Sequence, residues 1–275
     1  MYSVVKAALG SAAVAVFAVL CVPANAADLG GSLKDGYIAP MPVVHRPAGP
    51  CYLRADAGYS ISQTPQVNWL VTDDVTGEFI TDDVTNVSME NTWLGEVGVG
   101  CGSGSRGLRG EFTYSYRGKR DIDGEPGLWD PIPLDEDPLH TNVESHTLMF
   151  NAFYDLGRYY GFVPYVGAGI GVSFNKTGYA YFTENPNLVN TIDGASKTSF
   201  AWAVMAGVGY QISDRMILDF GYRFIDLGQA KSGYLDNAGY VNPRVYIDDL
   251  YAHEIKVGLR YHFGGRDNCC QYAMK

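Results

Sequence analysis

The chain has 275 residues with 20 Lys and Arg against 30 Asp and Glu, and its formal charge of −10 argues against nucleic acid or a broad anionic membrane surface as partner. Aromatic residues reach 13%, with 20 Tyr, and glycines number 33, a mixture that suits strands meeting an interface. Past the N-terminal segment the longest apolar stretch, FAWAVMAGVGYQI from Phe200 to Ile212, is too short and too rich in small residues for a bilayer-crossing helix, which needs about 20 apolar residues.

Residues 1–26 read as a secretory signal peptide: an early cation at Lys6, an apolar run from Ala7 to Val22, and Ala24-Asn25-Ala26 before a cleavage point at Ala27. A lipoprotein signal ending at Cys21 is the competing reading, and Leu20 is bulky where such signals carry a small residue. Residues 27–50 are rich in Pro and Gly, lack periodicity and read as an extended periplasmic arm.

Eight alternating segments follow, over Cys51–Ile61, Thr92–Cys101, Gly107–Tyr116, His146–Leu156, Val163–Asn175, Phe200–Ile212, Met216–Ile225 and Ala252–Phe263. Each is near the ~9–11 residues of a tilted membrane strand. The connections alternate long and short: about 30 residues, GSGSR, about 29, about 6, about 24, SDR, about 26. Long structureless loops count against an ordinary compact domain, but long loops at every second connection are the pattern of an up-and-down barrel in an outer membrane. The expected fold is therefore all-β: an eight-stranded antiparallel transmembrane barrel over 51–263, with a periplasmic tail over 264–275.

The faces support this. Phe200, Trp202, Val204, Ala206, Val208, Tyr210 and Ile212 share one face of the sixth segment. Trp202 and Tyr210 are separated by about 26 Å of strand, or roughly 20 Å of membrane height after tilting, close to the ~25 Å between aromatic girdles. The opposite faces collect Arg54, Asp56, Glu96, Arg109, Glu111, Asp155, Asp219, Arg223, Glu254, Lys256 and Arg260. A barrel of eight strands has an interior that side chains fill, so these charges are expected to pair and plug it. Arg223, Asp219, Lys256, Arg260 and Glu254, on adjacent strands, are expected in one connected network. Inward glycines such as Gly98, Gly100, Gly167, Gly169, Gly171, Gly207 and Gly209 leave room for long side chains.

The C-terminal HEIKVGLRYHF alternates strictly, with Ile255, Val257, Leu259, Tyr261 and Phe263 on one face. A terminal strand that ends in an aromatic residue resembles the signal read by the barrel assembly machinery, here Tyr261 and Phe263. With CYLRADAGYS, WLGEVGVGCGSGSRGLRGEF, FVPYVGAGIGV and AWAVMAGVGYQISDRMILDFGYRF, the chain resembles the small α-proteobacterial outer-membrane β-barrel family, the porin-like and OmpA-like surface proteins. The resemblance implies a Gram-negative outer-membrane location and a structural or host-facing role. GGRDNCCQYAMK after Phe263 departs from the family's usual ending.

Cys51 opens the first strand and Cys101 closes the second. Opposing them sets a register that pairs Leu53 with Val99, Ala55 with Val97, Ala57 with Gly95 and Tyr59 with Trp93, each pair outward, and an oxidising compartment then predicts a Cys51–Cys101 disulfide. Cys269 and Cys270 are left to a vicinal or intermolecular bond.

Catalytic chemistry is not evident. Ser145-His146 and His253-Glu254 lie on strands across the barrel, with both histidines outward, so they cannot form one constellation. Gly167-Ala168-Gly169-Ile170-Gly171 sits inside a strand and is no nucleotide loop. The repeated Asp73-Asp74-Val75-Thr76 and Asp82-Asp83-Val84-Thr85, and DIDGEPGLWDPIPLDEDP, match no defined calcium loop and read as solvated surface. The expectation is a non-enzymatic envelope protein with no metal or cofactor, in contact with lipopolysaccharide and outer-membrane lipid. The alternative is a narrow pore, or a haem-capturing surface using His140, Tyr179, Tyr181, Tyr234 and Tyr240.

Overall fold

The computed structural model describes residues 49–72, 79–102, 106–125, 138–182, 192–233 and 244–263, all inside one unit, Val44–Lys275. The segments read as signal peptide, arm (all but residues 49 and 50) and tail, with Cys269 and Cys270, lie outside the described residues. In chain order the strands are β1 (Cys51–Ser62), β2 (Gln66–Thr72), β3 (Phe79–Asp83), β4 (Thr85–Met89), β5 (Thr92–Gly102), β6 (Gly107–Glu125), β7 (Leu139–Asp155), β8 (Phe162–Thr177), β9 (Tyr181–Phe182), β10 (Ser196–Gln211), β11 (Met216–Asp226), β12 (Ala230–Lys231), β13 (Arg244–Asp248) and β14 (Tyr251–Phe263).

Eight of them close a ring. The order is β1–β5–β6–β7–β8–β10–β11–β14, every pairing is antiparallel, and β14 returns to β1. Closure leaves no unpaired edge, so every backbone polar group within an apolar band can find a partner. Inward and outward residues alternate strictly along β1, where Arg54 and Asp56 are buried while Leu53 and Tyr59 are exposed.

Outward aromatic residues gather near the two ends of this alternation. Tyr116 on β6, His146 on β7 and Phe174 on β8 form one row by register, and Tyr59 packs edge-on to Trp93 at 5.1 Å. Toward the short turns lie Tyr154, Phe162, Tyr210, Tyr261 and Phe263. Trp202 keeps its apolar face outward while its indole N–H donates to Asp226 at 2.9 Å, the amphipathic use expected of tryptophan at an interface.

The long connections are more ordered than their sequence suggests. β6 runs for 19 residues and β7 for 17, well past the predicted limits at Tyr116 and His146. Alternation continues there, but the outward residues (Lys119, Asp121, Asn142, Glu144) are polar, so the segment carries no apolar outward face by which to recognise a membrane strand. A second antiparallel sheet, β12-β13-β2-β3, is built wholly from the first and fourth long connections, while β4 pairs with β6 and β9 with β7. Val67, Val84, Ile122, Leu139, Val143, Ile192, Leu227, Val245, Ile247 and Leu250 bury their side chains together in an apolar cluster at this end.

Candidate functional site: the barrel lumen

The alternation that makes the outside apolar makes the inside ionic. The buried charged side chains are Arg54, Arg109, Arg117, Arg120, Arg223, Lys256 and Arg260 against Asp56, Glu96, Glu111, Asp155, Asp219 and Glu254. The structure thus turns five predicted cations into seven, by adding Arg117 and Arg120. Both lie in the part of β6 that reads as loop. A register shift between them inserts an extra residue, so that Arg120 as well as Arg117 points inward. The signal available in the sequence was RGKR, two arginines in a run that alternates around small and polar residues.

The ion pairs form a continuous path. Arg117 Nε donates to Glu254 at 2.5 Å, and Arg223 reaches both Glu254 and Glu96 at 2.5 Å. Glu96 accepts from Lys256 at 2.6 Å and from the Ser115 hydroxyl at 2.6 Å. Lys256 lies 3.8 Å from Asp56, which takes two nitrogens of Arg54, at 2.6 and 2.9 Å. Arg54 continues to Glu111 at 2.5 Å, and Glu111 also accepts from Arg109 and from the Tyr52 hydroxyl. Arg109 ends the path on Asp155 at 3.3 Å.

Asp219 and Arg260 depart from the expectation of one network. They pair with each other, with the Tyr165 hydroxyl donating to Asp219, and among the described residues no ion pair within 4 Å joins them to the path above. Two aromatic rings stand between the guanidiniums: Tyr165 lies 5.0 Å from Arg109 and 5.9 Å from Arg260, and Tyr52 lies 5.9 Å and 5.6 Å from them. The two groups therefore touch through π faces, a weaker contact than a hydrogen-bonded pair, while Arg54 and Asp219 still feel each other's charge at longer range. Arg223, Glu254 and Lys256 do share one path.

Glycines make the room. A Cβ at Gly258 would stand 1.5 Å from an Asp56 oxygen, so the carboxylate can lie over β14 only because that position has no side chain. Above the ionic path the lumen turns polar and then apolar. Arg120 donates to Ser145 at 2.6 Å, and Asn175 accepts from Ser145 and Ser173 while donating to the Leu227 and Gln229 carbonyls at 2.8 and 2.9 Å. Asn175 thereby holds the segment before β12 across the mouth beneath the apolar cluster.

At the short-turn end Cys51 and Cys101 are directly opposed and bonded, with Cα atoms 4.0 Å apart, in the register that pairs Leu53 with Val99 and Tyr59 with Trp93. His262 bonds the Gly49 carbonyl at 2.9 Å, and Gly102 donates to Pro50, so the last residues of the arm are fastened to the barrel rim. Tyr261 and Phe263 are outward on β14, at its end.

His146 and His253 are outward and each accepts or donates with a tyrosine hydroxyl at 2.7 Å, Tyr114 and Tyr222 respectively. They stand on β7 and β14, separated around the ring. His140 is held by Asp123 at 2.5 Å and its ring lies on Tyr181 at 5.4 Å, so the two cannot sandwich a macrocycle without parting. Tyr234, Tyr240, Asp73, Asp74 and most of the second acidic stretch lie outside the described residues. Among the described residues no cluster of three His, Cys, Asp or Glu is placed to hold a metal ion.

Residues 12–263 match the outer membrane protein beta-barrel domain family. An uncharacterized protein of Brucella melitensis is 30% identical over 277 residues, covering 87% of this chain and 93% of its own. The outer membrane protein PagN of Salmonella typhimurium is 28% identical over 161 residues, covering 57% of this chain and 65% of its own. The crystal structure of OprG from Pseudomonas aeruginosa is similar with a TM-score of 0.46 at 14% identity, over 79% of this chain and 98% of that one. With a closed ring of eight strands and a family match spanning the whole of it, the chain belongs to the outer membrane protein β-barrel family and resides in the Gram-negative outer membrane.

Proposed function

We propose that this protein is a non-enzymatic envelope barrel whose lumen is sealed, so that it stabilises the outer membrane and presents the sheet of its long connections at the cell surface. The observation that carries the reading is the continuous ion-paired path from Arg117 to Asp155 through the middle of the barrel, with an apolar cluster over its outer end. Arg54, Glu96, Glu111 and Arg223 side chains are all at most 4% exposed, which supports a lumen filled by side chains. His146 and His253 face outward on separate strands and each bonds a tyrosine hydroxyl, a geometry that suits interfacial histidines. Presentation of the outer sheet agrees with the name of a further relative, a putative adhesin of Rickettsia bellii that is 29% identical over 116 residues.

The test is conductance. Full-length mature protein, refolded and incorporated singly into planar bilayers, should give no steady ion current across the usual voltage range. Regular, large steps that persist in wild-type protein would overturn the sealed lumen.

A further inference from the structure

We propose that a lateral groove on the flank of β6, β7 and β8 binds the phosphorylated sugar headgroup of an outer-leaflet glycolipid. The groove is about 790 Å³, and its walls include Lys119, Glu144, Lys176, Tyr179, Tyr181 and Asp193. It is unrelated to the lumen: these side chains are on the outward face or on the connections above it.

Its height follows from register. Tyr116, His146 and Phe174 form an outward aromatic row, and the next outward pair on β7 and β8 is Glu144 with Lys176. One such step is two residues, roughly 5 Å of height after tilting, so the groove opens at the level where lipid headgroups meet water. A lipid whose headgroup sat there would run its acyl chains down past Phe174 and Val172, both outward on β8. That position is the reason to assign a membrane lipid in preference to a soluble sugar.

Its chemistry follows from the walls. Two ammonium groups stand among the walls beside two carboxylates, a set that offers donors to phosphate oxygens and acceptors to sugar hydroxyls. Lysine ammonium groups donate to phosphate or hydroxyl oxygens, and carboxylates accept from hydroxyls. Lys176 is 3.6 Å from Glu144 with its side chain 64% exposed, and Lys119 has no ion pair among the described residues, so both can turn to a ligand. Tyr181 supplies a fixed face: it lies against His140 at 5.4 Å, and His140 is locked by Asp123 at 2.5 Å. An aromatic ring that is already oriented yet open to solvent loses little entropy when a sugar packs on it. Tyr179, 65% exposed, stands beside it.

The experiment uses the full mature chain refolded in detergent, with bisphosphorylated lipid A, phosphatidylglycerol and the deacylated disaccharide bisphosphate as probes. Native mass spectrometry reads retained lipid, and amide exchange reads protection at 142–144 and 176–181. Wild-type protein should retain one lipid A, protect those amides, and hold it about tenfold better than the Lys119→Ser/Lys176→Ser variant. Tyr181→Ala should weaken retention without changing the heat-modifiable migration of the barrel. Equal retention by wild type and both variants would overturn the site. Phosphatidylglycerol held as firmly as lipid A would overturn the sugar, and equal binding of the deacylated disaccharide would overturn the membrane source. Should a variant fail to fold, the wild-type lipid ranking and the location of the protected amides still decide.

Discussion

Glu254 sits between two arginines, and replacing it with glutamine removes the charge without changing the shape. Its oxygens take Arg117 Nε and Arg223 Nε, each at 2.5 Å, and all three side chains are fully buried. After Glu254→Gln, Arg223 still has Glu96 at 2.5 Å, but Arg117 loses its carboxylate and keeps the Thr147 hydroxyl at 3.2 Å, with the one amide oxygen of the glutamine left for two guanidiniums and its NH2 turned against the other. Arg120 lies close by on the same strand, with the Ser145 hydroxyl as its hydrogen-bond acceptor at 2.6 Å. The lumen, already one cation in excess by seven against six, gains a second unit of positive charge. Breaking a buried pair from one side costs about 3–5 kcal/mol, and two charges about 4 Å apart at an effective dielectric near 20 give the same order.

Arg223→Met is the informative control. Each of its carboxylates retains a cation, Arg117 for Glu254 and Lys256 for Glu96, and the lumen becomes neutral. Its loss should be smaller, about 1–3 kcal/mol. Urea unfolding of the refolded variants in lipid vesicles, followed by tryptophan fluorescence, gives both values. Adding Arg117→Met to Glu254→Gln should recover part of the loss, because no buried guanidinium is then stranded at that point. If Glu254→Gln is no more harmful than Arg223→Met, and the double variant recovers nothing, the reasoning from charge balance fails.

Gly258→Ala should destabilise the barrel by about 1–3 kcal/mol, since its Cβ would meet the Asp56 carboxylate and, at 2.9 Å, the Ala55 carbonyl; an unchanged unfolding midpoint would contradict this. Asn175→Ala removes the donor to the Leu227 and Gln229 carbonyls and the acceptor of two serine hydroxyls, and should raise amide exchange across 227–231 while the β1–β5 pairing stays protected. Peptide mapping without reductant should recover Cys51 joined to Cys101, and Cys51→Ser/Cys101→Ser should lower stability by about 2–4 kcal/mol. Haemin titrated into the refolded protein should give no saturable Soret change, and should continue to give none in Tyr181→Ala, where His140 loses the Tyr181 ring but keeps Asp123.

Most of the barrel is legible in the sequence because period two and the bilayer act together. Leu53, Ala55, Ala57 and Tyr59 had to face lipid, so Arg54 and Asp56 had to face the lumen, and the cysteines then fixed the β1–β5 register. Legibility stops at the height where the outward face also becomes polar. Arg117 and Arg120 were missed for that reason, and so were β2, β12 and β13, where short strands gain stability by pairing with distant connections. The separation of Asp219 and Arg260 from the main path was not readable either. It depends on Tyr52 and Tyr165 reaching inward between the guanidinium groups, a matter of side-chain length across the lumen that no single strand pattern encodes.

The lumen is also lopsided, and this bears on how the fold is specified. Its charges come from β14, β1, β5 and β6, with Asp155 and the pair on β11, whereas β8 and β10 contribute no buried charge and place Gly167, Gly169, Gly207 and Gly209 inward. The charged wall sends long side chains into the space the glycines leave, an Arg260 nitrogen reaching within 2.5 Å of where a Cβ of Gly209 would be, while Tyr165 of β8 itself fills the space at Gly207. A one-residue slip of β1 against β5 would turn Arg54, Asp56 and Glu96 or their partners toward hydrocarbon, where each charge costs at least about 2–3 kcal/mol. On β8 and β10 the same slip would turn no buried charge outward, because their inward residues are glycines, Ala201, Ala203 and Ser173 with Tyr165, Asn175, Met205 and Gln211, so charge does less to fix their register. Asn175, Thr177 and the segment they bind above the lumen lie at the end of β8, where a further restraint is needed. The ionic path and the outer cap thus restrain opposite halves of one ring, and the loss of either should loosen a different set of strands.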